Sequence, residues 1–186
     1  MKKLSDSELI DLVALNRILD GADQVFWGIE DGYHYLSDAH MAVKVRISNR
    51  NLTALKVLAK RFHGDTPIEG LALRSVRRRK NQYDMDVALD AVKRCLNEKA
   101  ESLAVDTRIM YETEYGGVVR AMYVEDLSHT TYVFLNMAFL ECINANNVAH
   151  AVKAAHTSPI HFRRGDEVAV VMPINMHTPA FMEKLN

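Results

Sequence analysis

Apolar residues recur along the chain with two distinct periods. Near the N-terminus, Leu9, Leu12, Val13, Ile18 and Leu19 fall at helical spacing. Ser5 or Ser7 offers an N-cap, Glu8 stands three residues after Ser5 as in a capping box, and Gly21 offers a stop. The period then shortens to two. Residues 25–30 and 33–37 flank Asp31-Gly32, and Asp-Gly between apolar runs suits a type I′ hairpin turn because glycine takes positive φ without a Cβ clash. A second turn falls at Asp38-Ala39. In 42–47, Val43, Val45 and Ile47 share one face while Lys44 and Arg46 share the other, completing a three-strand meander.

Further on, residues 51–62 predict a helix with Leu52, Leu55, Leu58, Ala59 and Phe62 on one face, broken at 64–67. A second helix is predicted over 84–100, with Met85, Ala88, Leu89, Val92, Cys95 and Leu96 as its stripe. Residues 107–114 and 118–125 read as a hairpin around Tyr115-Gly116-Gly117, and 133–143 as an apolar helix with Asn136 a candidate cap. Residues 148–155 suit a helix by alanine content and a strand by the placing of Val148 and Val152. A final hairpin joins 160–163 to 167–172 around Arg164-Gly165-Asp166, and Pro173 ends it. With 49–105 set aside, each half reads as a helix followed by antiparallel strands. The expectation is a single α+β domain spanning 1–186: two antiparallel sheets with helices on one side, and 49–105 as a helical insertion.

Composition fits one folded domain. The 186 residues are 48% hydrophobic and 25% charged, which excludes a disordered chain, a collagen-like chain and a disulfide framework. Cys95 and Cys142 both sit in apolar patterns and read as free, buried thiols of a reducing compartment, with a disulfide between them as the alternative. The N-terminus has no apolar run like a signal peptide, and no stretch of 18 apolar residues exists, so a cytoplasmic chain with no membrane contact is expected.

Charge changes the picture more. Lys plus Arg number 23 and Asp plus Glu 24, for a net charge of −1. Residues 49–105 hold 12 basic and 7 acidic side chains, a net of +5, leaving 11 and 17 elsewhere, a net of −6. A basic patch is therefore possible where a wholly basic nucleic-acid binder is not. Its centre is Arg74, Arg77, Arg78, Arg79 and Lys80, where each arginine offers a forked donor to phosphate. A solvated basic loop competes with that reading, since no glycine-rich cradle accompanies the run and Asp84 near the next helix start repels anions.

Other candidate chemistry is thin. Asp38 and His40, with His34 nearby, suit a polar turn better than a metal site, for want of compact further ligands. His150, His156 and His161 lack a zinc-binding spacing and read as scattered surface histidines; Cys142 reads as a packed thiol. Nucleophile elbows, Walker loops and dinucleotide fingerprints are missing, so no cofactor or metal is expected and catalysis has no positive support.

Two stretches resemble one domain of the bacterial sliding clamp, the ring-forming processivity factor of replicative DNA polymerase. The first is Phe26-Trp27-Gly28-Ile29-Glu30-Asp31-Gly32-Tyr33-His34-Tyr35-Leu36-Ser37-Asp38-Ala39-His40. The second is Phe134-Leu135-Asn136-Met137-Ala138-Phe139-Leu140, followed later by Val170-Val171-Met172-Pro173-Ile174. The resemblance implies a DNA-clamp-like fold and a non-catalytic accessory role in DNA replication or repair. It also implies duplex DNA and polymerase or other replication proteins as partners, a homo-oligomeric ring, and a peptide groove at Met172, Pro173 and Ile174, residues that read equally as an ordinary strand end stopped by proline. The departures are electrostatic. The first helix carries Asp6, Glu8, Asp11, Arg17 and Asp20, and the second Asn136, Glu141 and Asn144 with no basic residue, so neither suits a phosphate backbone. The alternative is a protein-interaction module of clamp-like fold that does not encircle DNA.

Overall fold

The computed structural model describes residues 9–47, 53–77, 83–113, 116–127, 130–144 and 149–175. In chain order the elements are α1 (Leu12–Gly21), β1 (Gln24–Glu30), β2 (Tyr33–Ser37), β3 (Met41–Val45), α2 (Lys56–Arg61), β4 (Leu71–Val76), β5 (Tyr83–Ala88), α3 (Asp90–Asn97), β6 (Ser102–Glu112), β7 (Val118–Glu125), β8 (Thr130–Asn136), α4 (Met137–Leu140), β9 (Ala149–Ala151), β10 (Ile160–Arg164) and β11 (Glu167–Val171).

Local chemistry accounts for most of these boundaries. Ser5 and Ser7 lie outside the described residues, and α1 is capped instead by Asp11, whose Oδ1 accepts from the N–H groups of Val13 (2.8 Å) and Ala14 (3.2 Å). Leu9 and Ile10 lie outside the helix: Ile10 bridges Ile143, and Asn144 N–H donates to the Leu9 carbonyl at 2.9 Å. Asp31 and Gly32 adopt φ of 53° and 72°, the left-handed pair a type I′ turn requires. At the next turn Ala39 has φ 77°, and Asp38 Oδ1 accepts from His40 and Met41 N–H at 2.9 and 2.7 Å. The expected 160–172 hairpin forms, with its register running from Ile160↔Val171 to Arg164↔Glu167.

The segment 49–105 departs from the helical expectation. It holds two short helices, but also β4 and β5, and β4 pairs antiparallel with β1. Tyr83, Met85 and Val87 alternate with Asp84 and Asp86, a period of two that the helical spacing of Met85, Leu89 and Val92 obscures. The predicted helix 133–143 likewise begins as strand β8, where Val133 and Leu135 face the core, and turns helical only at the Asn136 cap, whose side chain accepts from Ala138 N–H.

The strands form one sheet, not two. Its order is β5-β4-β1-β2-β3-β11-β10-β9-β6-β7-β8, eleven strands among the described residues. The sheet cannot be flat. Ile174, three residues past the end of β11, lies within about 10 Å of that end, yet its N–H donates to the Phe134 carbonyl of β8 at 2.8 Å. Five strand spacings separate β11 from β8, roughly 24 Å on a flat sheet. The sheet therefore curls back on itself. Its inner face, with Trp27, Leu36, Val43, Leu73, Val124 and Leu135, forms one core with Leu15 and Leu19 of α1, Leu58 of α2 and Phe62.

Helices also lie on both faces, where one side was expected. On the outer face Tyr33, Tyr35, Ala42, Ala72, Val168 and Val170 are roofed by Leu89 and by Leu96 of α3. Gly28 sits under that roof; a Cβ there would meet the Leu89 side chain and approach the Leu71 carbonyl to 3.1 Å. Gly28→Ala is therefore expected to cost about 1–3 kcal/mol through overpacking, read as a lowered urea midpoint at unchanged m-value.

Candidate interaction surfaces

The basic run is partly spent on hydrogen bonds within the chain. Arg77 donates to the Gly21 carbonyl at 3.2 Å, and Arg61, which sequence reasoning did not group with it, donates to the carbonyls of Asp20 (3.3 Å) and Ala22. These carbonyls form the negative end of α1, which carries no basic residue in its own last turn. Burial and the nearby Arg77 hold the Arg61 guanidinium below its ordinary pKa, partly offset by Asp20 and Asp23. Arg74 lies on the sheet, its guanidinium 5.5 Å from the Phe26 ring centroid and within 3.3 Å of Gln24 Oε1. Arg78, Arg79 and Lys80 lie outside the described residues. The structure thus brings two arginines to a helix end and a third to an aromatic ring.

Met172, Pro173 and Ile174 leave β11 and cross to the far edge of the curled sheet. Met172 N–H donates to the His40 carbonyl at 2.8 Å, and the Ile174 side chain packs on Val119, Ala121 and Phe134. His40 faces Phe139 of α4, ring centroids 6.5 Å apart.

Ile174 covers Val119, Ala121 and Phe134, and the rest of the outer face of β6–β8 is only partly covered. Tyr111 meets Phe134 edge-on at 6.0 Å, and Tyr123 meets Tyr132 at 5.7 Å. Leu103 and Val105, on the same face, remain 50% and 48% exposed. The face keeps its direction across a bulge in β6, where the register shifts between Asp106 and Met110 and Arg108 takes φ 60°. Three side-chain contacts stitch that bulge: Asp106 Oδ1 accepts from Arg108 N–H (2.8 Å), Asp106 Oδ2 pairs with Arg120 (2.9 Å), and the Thr107 hydroxyl donates to the Ala121 carbonyl (2.7 Å). Sequence reading missed this surface, although Leu103, Val105, Tyr111, Tyr123 and Tyr132 stand at alternating positions within their strands.

The remaining candidates are structural. Asp38 is occupied as a turn acceptor. Cys142 is buried 3.7 Å from the Met41 sulfur, and burial pushes its thiol up to about 12, far from a reactive thiolate. Among the described residues no group of three or more His, Cys, Asp or Glu is placed to hold a metal ion. The expectation of scattered surface histidines fails at His161, which is wholly buried opposite His150, with no hydrogen-bond partner on either ring nitrogen among the described residues. Its outward position on β10, between the inward-facing Ile160 and Phe162, places it under the α3 side of the molecule, where Arg163 donates to the carbonyls of Leu96 and Glu98.

Burial, then Arg163 and His150, lower the His161 pKa from 6.5 to about 4. A depressed pKa on a base gives stability that is present above pH 6.5 and lost as pH falls toward 4. His161→Leu is expected to narrow the gap between urea midpoints measured at pH 7 and pH 4.5. Arg61→Ala, by exposing the α1 carbonyls, is expected to lower stability by about 1 kcal/mol in the same assay at neutral pH.

No known protein family and no curated protein matches the sequence. Among solved structures the chain is similar to one from Eubacterium rectale provisionally assigned as a DNA polymerase III beta subunit, at 9% identity and a TM-score of 0.38, covering 95% of this chain and 67% of that one.

Proposed function

We propose that this chain is a non-enzymatic protein-interaction module whose docking face is the outer surface of β6–β8. One observation carries the reading: Leu103 and Val105 stand half exposed beside the Tyr123–Tyr132 pair, and the Ile174 side chain adjoins the same face. Apolar side chains grouped on one open sheet face mark an interaction site more often than single exposed residues do. Aromatic anchors with few rotatable bonds add to its suitability. The groove expected at Met172, Pro173 and Ile174 becomes, on this reading, the rim of a wider surface.

A second reading, contact with duplex DNA through the 49–105 segment, is favoured by its net charge of +5. Against it, Arg61 and Arg77 already serve carbonyls. One experiment separates the two. Leu103→Asp is expected to abolish co-purification of a protein partner, or self-association seen by light scattering, while circular dichroism and melting temperature stay within a few degrees of wild type. Salt-sensitive retention of both proteins on duplex DNA, with no protein partner and a monomeric wild type, would overturn the first reading in favour of the second.

A further inference from the structure

The chain has one tryptophan, and its indole is bonded to a histidine. Trp27 Nε1–H donates to His34 Nδ1 at 3.1 Å, with the two rings within 15° of parallel. The imidazole also shares a hydrogen bond with the Ile47 backbone. Since Nδ1 accepts from the indole, that second bond falls to Nε2–H, and the neutral ring is satisfied on both sides. On its other side Trp27 packs against Phe62, the residue that follows α2, with centroids 5.8 Å apart. Trp27, His34 and Phe62 are all buried.

We propose that the Trp27–His34 pair is a proton-operated latch: the neutral imidazole holds Ile47 and the α2 turn on the inner face of the sheet, and protonation at Nδ1 releases them. The chemistry is one of donors and acceptors. An indole nitrogen can only donate, so a proton on Nδ1 replaces a buried hydrogen bond with two opposed N–H groups and leaves both unsatisfied. The disturbance falls on the ring that anchors Phe62.

Among the described residues no ion pair to this imidazole is present. Facing it are Trp27 and Ile29 from β1, Val45 at the cross-strand position in β3, and the Ile47 backbone. The charged and titratable groups on the neighbouring elements are Glu30 and Asp31 at the hairpin end, and Lys56, Lys60, Arg61 and His63 at α2. Burial lowers the His34 pKa below 6.5, and the Ile47 bond offsets this in part. The latch is therefore closed above pH 6.5 and opens as pH falls through the lowered value.

Because Trp27 is alone, intrinsic fluorescence reads this site directly. Wild-type protein is titrated from pH 8 to 4.5 beside His34→Gln, which supplies a carbonyl acceptor and an N–H donor but carries no titrating proton. The expected result is a red shift of wild-type emission below pH 6.5, with at least a threefold loss of hydrogen-exchange protection in α2 after correction for intrinsic rates. His34→Gln should stay flat until His161 charges near pH 4. A matching transition in His34→Gln would overturn the latch. Should that variant fail to fold, the wild-type indole N–H resonance decides alone: it must move with the imidazole titration, and a static resonance overturns the proposal.

Discussion

The curl of the sheet around α1 is the constraint on which the other contacts depend. Leu15 and Leu19 of α1 are buried against strands from both halves of the sheet, and the Ile174 and Ile10 backbones cross to Phe134 and Ile143 only because β8 has come round to meet them. A single fully buried leucine contributes about 1.5–3 kcal/mol, so the inner face collectively outweighs any one hydrogen bond or ion pair in the molecule. Polar features are arranged to permit this burial, as where Asp11 caps the helix at its entry.

The same constraint explains where the basic residues go. Enclosing α1 brings its C-terminal carbonyls close to α2 and the end of β4, where a cation offsets their partial negative charge. Arg61 and Arg77 meet that need from outside the helix, and Arg163 does the same for α3. The excess positive charge of the 49–105 segment is thus in part an internal counter-charge. A count of lysines and arginines cannot distinguish a carbonyl acceptor from a phosphate, because both draw on the same donors.

Roofing by α3 divides the outer face into a buried and an open half. Over β2, β3 and β11 the helix covers tyrosines and valines; over β6, Leu103 and Val105 are left half exposed. With eight residues, α3 is too short to span the width of the sheet, roughly 12 Å against more than 40 Å for a flat eleven-strand array. The open half exists because the chain supplies no second element to cover it among the described residues.

Short-range chemistry was legible in the sequence. Asp31-Gly32, Asp38-Ala39, Arg164-Gly165 and the Asn136 cap all act as their side chains dictate, because turns and caps are decided within four or five residues. The thiols of Cys95 and Cys142 are both free, but only Cys142 is buried as expected; Cys95 is partly exposed. The helical reading of 84–100 and 133–143 held for Asp90–Asn97 and Met137–Leu140 but failed at the start of each range, because runs such as Tyr83–Ala88 and Thr130–Asn136 satisfy two periods at once, and only pairing with β4 and β7 selects the strand. Two sheets became one, and His161 became buried, through long-range register: β9 joins β6 to β10 and places His150 beside His161. The sequence by itself determined the turns, the caps and the alternating faces, since these are local energies. Only the tertiary structure decided which strands are neighbours, how the sheet curls, which arginines serve helix ends and which apolar face stays open, because each depends on partners distant in the chain.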